Sequence, residues 1–381
     1  MDIPDTPPRK KTPMKKLSLL LPLIALSALA AAPERTDLQI RRDDGHGPSE
    51  GTQEAACAAR RQQARAAMAH ARYLFLSGDP EGALAASSNL LSFAVGGEED
   101  PVESRALNNI AWALHLLGRD AEALEPARRA VEVQLRASAA SLDTLACVLD
   151  ALGETDEAKD KLAVAFDRLG DEWHPHRAGR GKKAAARVHS PEYLEYERHL
   201  QFHLAQMYDR AGETALAKAI LDNLRLAGFV PEEEEAAYDT LADRLGAAPL
   251  APDARERAAV RRLAGLVEAV VTEHDCGEAA HGVRRDAFDA TLARFDAIDA
   301  TGAPADVRGA LDALRNGYRD FFAVAKEFPA DPEAAPVALK RRLGAAGIRL
   351  HAAGRDLLRA VRRHGVRSDA LRDALTFFEE D

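Results

Sequence analysis

The chain of 381 residues has only three cysteines and two tryptophans, and aromatic residues make up 5% of it. Three thiols cannot hold a disulfide-dense scaffold together. Basic charge is in deficit: 51 Lys+Arg against 61 Asp+Glu give −10, where a global nucleic-acid binder is expected to run basic. Past residue 32 no apolar run approaches the roughly 20 residues of a spanning helix, which excludes a multi-span membrane protein. Alternating strand patterns and β-branched runs are also scarce. No HExxH, CxxCH or paired Glu-x-x-His pattern occurs, and no nucleophile–base spacing specifies an enzyme. What is present is 46% hydrophobic and 29% charged residues, enough to bury a sizeable core in two or three domains.

Residues 1–30 read as a signal peptide. Arg9, Lys10, Lys11, Lys15 and Lys16 precede the apolar run Leu17–Ala32, and Ala28-Leu29-Ala30 supplies the small-x-small cleavage pattern, with Met14 as an alternative start. Pro22 interrupts the apolar run, so cleavage is preferred to an uncleaved anchor. The mature chain would carry 46 basic and 59 acidic residues in a periplasmic or secreted setting. There Cys57, Cys147 and Cys276 form an odd set. Cys147 reads as a buried thiol, and a Cys57–Cys276 bridge is the less favoured option. Residues 31–53, charged and rich in Gly and Pro, read as a disordered tether.

From residue 54 the chain is Ala- and Leu-rich and helical in pattern. Four turns, at Gly78, Gly118, Gly153 and Gly212, follow amphipathic stretches. Ala71, Ala111, Ala146 and Ala205 stand seven residues before them, and Ala83, Ala123, Ala158 and Ala217 five residues after. Small residues in mid-helix allow close helix packing, and Gly makes the turn between the two helices. Large residues such as Leu107, Ile110, Leu114 and Leu124, then Leu142, Leu145, Leu149 and Leu162, fill the space around them. Each pair leaves an apolar face that only a neighbouring pair can cover.

On these residues the chain resembles the tetratricopeptide repeat family, most closely at LNNIAWALHLLGRDAEALEPARRAV and LDTLACVLDALGETDEAKDKLAVAF. The turn spacings are 40, 35 and 59 residues, against about 34 in the family. The excesses fall at the linker 96–101 and at an insertion near 170–193. His70 and Gln201 depart from the apolar packing pattern of the outer units. The resemblance implies an all-α protein: a right-handed superhelix of about four helix pairs over 54–248, ended by a capping helix at 232–245. The run Glu232–Glu235 fits the start of that helix better than an acidic binding patch. A separate antiparallel bundle is expected over 254–378, with helices near 254–274, 278–299, 304–328, 335–364 and 368–378.

In this family the first helix of each pair lines a concave face that takes extended peptides or partner segments. The resemblance places Arg72, Arg105, Asn108, Asn109, Trp112, Asp143, Thr144, His199, His203 and Gln206 on that face. Asn can hold a ligand's backbone, Trp offers apolar area and Arg takes a carboxylate. Phe202, Cys147, Asp150 and Asp209 share the same register. Ala140 and Thr144 stand where chaperone-binding members carry a basic clamp, so capture of a chaperone's terminal carboxylate is not implied.

Two histidine groups have some of the spacing of a metal site, and each carries a feature against it. His199 and His203 lie four residues apart, but the nearby insertion pairs His174 and His176 with Arg177, Arg180, Lys182, Lys183 and Arg187. His274, Cys276 and His281 lack a fourth ligand. No cofactor or metal is therefore expected. Nine basic residues and one acidic residue lie between Lys340 and Arg367. They are a candidate face for an acidic partner, although a solvated, salt-bridged helix face is the stronger reading. The functional expectation is a non-enzymatic scaffold of the cell envelope that binds a protein or peptide and not nucleic acid, with no integral membrane span after signal cleavage and an N-terminal anchor as the alternative. The alternative is a metal-dependent or other enzyme using the His-bearing insertion or the bundle.

Overall fold

The computed structural model describes residues 50–94, 101–134, 137–173, 191–281, 285–329 and 334–375. The leader at 1–30, most of the tether, and the core of the insertion with His174, His176 and His189 lie outside the described residues. Among the described residues there are fourteen α-helices and no strand. In chain order they are α1 (Glu50–Leu76), α2 (Pro80–Leu90), α3 (Pro101–Leu116), α4 (Asp120–Glu132), α5 (Ala139–Ala151), α6 (Thr155–Trp173) and α7 (Pro191–Arg210). There follow α8 (Thr214–Leu226), α9 (Glu235–Leu245), α10 (Ala254–His281), α11 (Arg285–Ala297), α12 (Ala305–Lys326), α13 (Val337–Arg363) and α14 (Asp369–Leu375). The first helix begins at Glu50, inside the stretch read as tether. No described helix is long and apolar enough to cross a membrane.

The four glycine turns share one geometry. Gly78, Gly118, Gly153 and Gly212 have φ of 78°, 69°, 88° and 79°, left-handed values that a side chain would strain. After each glycine the next residue donates its backbone N–H to a carbonyl five residues back: Asp79 to Leu74, Arg119 to Leu114, Glu154 to Leu149 and Glu213 to Tyr208. That satisfies the last carbonyls of the first helix while the chain reverses. The eight alanines at the two fixed stations have no exposed surface at all. Each helix pair therefore packs at the separation of a methyl group, and successive pairs stack in order. Leu142, Leu145, Leu149 and Leu162 form a core with Leu169, Leu200 and Met207 of the flanking helices. The result is an all-α array of stacked helix pairs, as the resemblance implies.

At its far end the array is closed by Phe229, Tyr238 and Leu241 over Phe202 and Leu221. Helix α9 starts at Glu235, so Glu232–Glu234 precede the helix rather than opening it. The C-terminal helices match the expected order with one correction. The expected break at Asp275–Gly277 is absent, because α10 runs unbroken to His281.

The C-terminal helices also take in the other end of the array. Helix α10 packs along α1, and Tyr73, Leu74 and Leu76 of α1 belong to the same core as Val267, Phe295, Tyr318 and Leu357. Gly265 lies against α1: a methyl group there would be 2.8 Å from Leu76 Cδ1. The first helix of the repeats is thus shared by both parts of the molecule.

Candidate functional site

The concave face carries a cavity of about 430 Å³. Nine of the ten residues expected on that face line it: Arg72, Arg105, Asn108, Asn109, Trp112, Asp143, Thr144, His199 and His203. The tenth, Gln206, lies elsewhere, lining a recess with Asp209, Arg210 and Arg244 on the flank of α9. The α9 end of the array intervenes, so Gln206 leaves the groove set. Phe202 also leaves it, fully buried against Tyr238 with ring centroids 5.2 Å apart. Asp150 and Asp209 are buried in ion pairs between units, with Arg210 and Arg244 respectively. Helical register groups these nine residues around one cavity. It cannot say which inner residues the next unit covers.

The groove holds a segment of the chain itself. Glu232, Glu233 and Glu234 line it, and each carboxylate has a named partner. Trp112 Nε1 donates to Glu233 Oε2 at 2.6 Å. His203 donates to Asp143 Oδ1 from Nδ1 at 2.7 Å and to Glu234 Oε2 from Nε2 at 2.8 Å. Arg261 of α10 approaches Glu232 at 3.4 Å and Glu195 at 3.1 Å. The reading of this run as a helix start holds at its end, where Glu234 is the N-cap residue and Glu235 opens the helix, but Glu232–Glu234 also line the groove. Pro231 ahead of them and a helix behind were visible in the sequence, but the direction of the turn was not.

Burial works against a charge on His203, yet the Asp143 and Glu234 carboxylates hold its pKa well above the usual imidazole value. Burial pushes Glu234 up, but the His203 charge and hydrogen bond outweigh it and leave Glu234 below its ordinary value. Cys147, on the same side of α5, is pushed up to about 12, chiefly by burial. His199 does not join His203 as a paired ligand. It packs edge-on against Phe229 with ring centroids 5.0 Å apart, and desolvation lowers it to about 4.

The groove also has polar groups left to offer. Asn108 Oδ1 is buried without a hydrogen-bond partner. Arg105 is exposed, and its guanidinium meets Met68 Sδ at 3.7 Å. Arg72 is bound twice by Glu268 of α10, at 2.8 and 2.7 Å. The buried Asn acceptor suits a ligand N–H, and Arg105 suits a carboxylate. Trp112, one turn beyond Asn108 on α3, lies 5.3 Å from the His115 ring and 5.9 Å from the His203 ring.

Away from the groove, the basic stretch on α13 is tied into the fold. Arg342 pairs with Glu327, Arg349 with Asp320, Arg359 with Asp356 and Arg363 with Asp306. Cys57, Cys147 and Cys276 are all free, so the Cys57–Cys276 bridge is not formed. His274 is turned into the C-terminal core beside Phe322, at a centroid distance of 5.0 Å, and against Thr291.

Residues 62–136 match the tetratricopeptide repeat family. The match covers the first two helix pairs, whereas the same turn and alanine geometry continues through the fourth. Repeats of this family generally mediate protein–protein interaction. No curated protein matches the chain in sequence.

Proposed function

We propose that this protein is a non-enzymatic scaffold whose concave groove binds an extended segment of a protein partner. The observation that carries the reading is the convergence of Arg105, Asn108, Asn109 and Trp112 on one cavity of about 430 Å³. Such a cavity, with a rigid aromatic wall and donors for a peptide backbone, suits a partner's main chain better than a small metabolite. The cavity is lined both by the acidic Glu232–Glu234 and by the basic Arg105. A segment with a cationic group at one end and a carboxylate or backbone carbonyl at the other would meet both. The leader-like residues 1–30 favour the cell envelope as the place of action.

The test is recovery of partners by the full chain from native envelope extracts after crosslinking, compared with Trp112→Ala and Asn109→Ala. Loss of the same partner in both variants, with helicity unchanged, supports the groove. Unchanged recovery removes it.

A further inference from the structure

Three side chains of different chemistry meet at the groove floor. Asp143 and Cys147 are one turn apart on α5, and His203 faces them from α7. One donor atom of each lies within 4.8 Å of the other two, and all three residues are buried. We propose that Asp143, Cys147 and His203 form a binding site for a zinc-type divalent transition metal, seated between the third and fourth helix pairs.

The donor set fits that class of ion. Thiolate, imidazole and carboxylate are the ligands zinc takes, at about 2.0–2.3 Å. A thiolate and an imidazole together disfavour magnesium and calcium, which take oxygen. Two ligands four residues apart on one helix and a third from the facing helix converge from two directions, as a cation requires. The other ring nitrogen of His203 bonds Glu234 Oε2 at 2.8 Å. That is the outer carboxylate which fixes a ligating imidazole in orientation and tautomer. Asp143 and His203 also line the cavity, which gives an ion a route to the site.

Charge balance is preserved. Binding of M²⁺ would displace one proton from His203 Nδ1 and one from Cys147 Sγ, leaving the buried charge as it was. The Asp143–His203–Glu234 hydrogen bonds hold the imidazole without a metal, and the buried Cys147 thiol lies against it as the third donor. Stations equivalent to Cys147 carry Arg72, Trp112 and Gln206 in the other three units. The array itself therefore does not require a small thiol at that point.

The experiment is cobalt titration of the purified full chain after chelator treatment, followed by zinc competition. One equivalent of Co²⁺ is expected, with a near-ultraviolet sulfur-to-cobalt charge-transfer band that zinc abolishes. Cys147→Ala retains the hydrogen bonds of His203, so it should stay helical and lose the band. Cys147→Ser provides a second variant with the same expected loss. Glu234→Gln should keep the band and weaken affinity by about 10–100-fold. A triple variant His174→Ala, His176→Ala and His189→Ala should bind as the parent does. Absence of stoichiometric binding, binding without the sulfur band, or binding unaltered by both Cys147 substitutions would overturn the site. These readouts do not depend on partner recovery, so the metal site and the peptide groove can fail separately.

Discussion

Gly265 of α10 and Leu76 of α1 approach so closely that a methyl group on the glycine would lie 2.8 Å from Leu76 Cδ1. One helical turn from this point on α1, Arg72 is clamped by Glu268, and Tyr73 O–H donates to the Arg294 carbonyl at 3.4 Å. A helix from the C-terminal part thus fixes the first wall of the repeat groove. The groove mouth is set by residues nearly two hundred positions apart in the chain.

That contact makes a prediction about size. Gly265→Leu should force α10 away from α1 and destabilise the protein by about 1–3 kcal/mol, the usual cost of overpacking. Gly265→Ala should cost much less. The contacting atom is the end of a flexible leucine, and Ala is favoured over Gly in a helix by roughly 1 kcal/mol. Thermal unfolding followed by circular dichroism separates the two. Equal melting temperatures for parent and Gly265→Leu would mean that the helices are not held at this distance.

The repeat core was legible because its physics is local. A left-handed turn needs glycine and a close helix pair needs alanine, so Gly118 with Ala111 and Ala123 reveals a unit without knowledge of anything distant. The groove face followed from helical register, which is why Trp112, Asn109 and Asp143 could be named. Gln206 failed the same rule because α9, a helix outside the repeat, shields its position from the groove. The acidic turn at Glu232–Glu234 and the clamp on Arg72 were not legible. Both depend on long-range placement, and a carboxylate run at a helix start has a sufficient local explanation in the helix dipole. The break expected at Asp275–Gly277 failed for a related reason: tertiary packing along α1 overrides the low helix propensity of Asp and Gly.

The Arg72–Glu268 clamp predicts a pH-dependent cost. Burial raises the Glu268 pKa, and Arg72 opposes that shift by attraction and hydrogen bonding. A carboxyl with a raised folded pKa stabilises the fold at pH below its unfolded value. That contribution fades as pH rises through the folded value. Removing Arg72 takes away the compensating charge, so the penalty at high pH grows. Arg72→Ala should destabilise by about 1–3 kcal/mol at pH 8, below the range for a fully buried pair because the Arg72 side chain is half exposed. The cost should shrink toward pH 4, and Glu268→Gln in the same background should recover part of the loss. Urea unfolding at both pH values checks the sign. A cost that is the same at pH 4 and pH 8 would mean that Glu268 carries no unpaired charge in the variant.

The C-terminal core predicts a steeper pH dependence, because three titratable groups meet on one turn of α10. Burial raises Asp275 to about 7, with the Glu278 charge adding to it, and burial raises Glu278 to about 7. Burial lowers His274 to about 4, against a small opposing pull from Glu273. Between about pH 4 and 7 the folded carboxyls hold protons that the unfolded chain releases, so their contribution falls as pH rises. His274 acts in the opposite direction: the unfolded imidazole binds a proton below about pH 6.5 that the folded one refuses. Two carboxyls outweigh one imidazole, and net stability should decline from pH 4.5 to pH 7.5. Neutralising the two carboxyls lessens this. Asp275→Asn with Glu278→Gln should stabilise the protein at pH 8, on the order of 2 kcal/mol given the size of the shifts and the partial exposure of Glu278. The same pair of substitutions should have little effect at pH 4, where the native carboxyls are already protonated. With these two carboxyls gone, His274 opposes the buried carboxyls that remain, such as Glu268, so the double variant's decline with pH between 4 and 6.5 should be flatter than the parent's. Denaturant titrations across that range would contradict the account if the double variant fell as steeply as the parent.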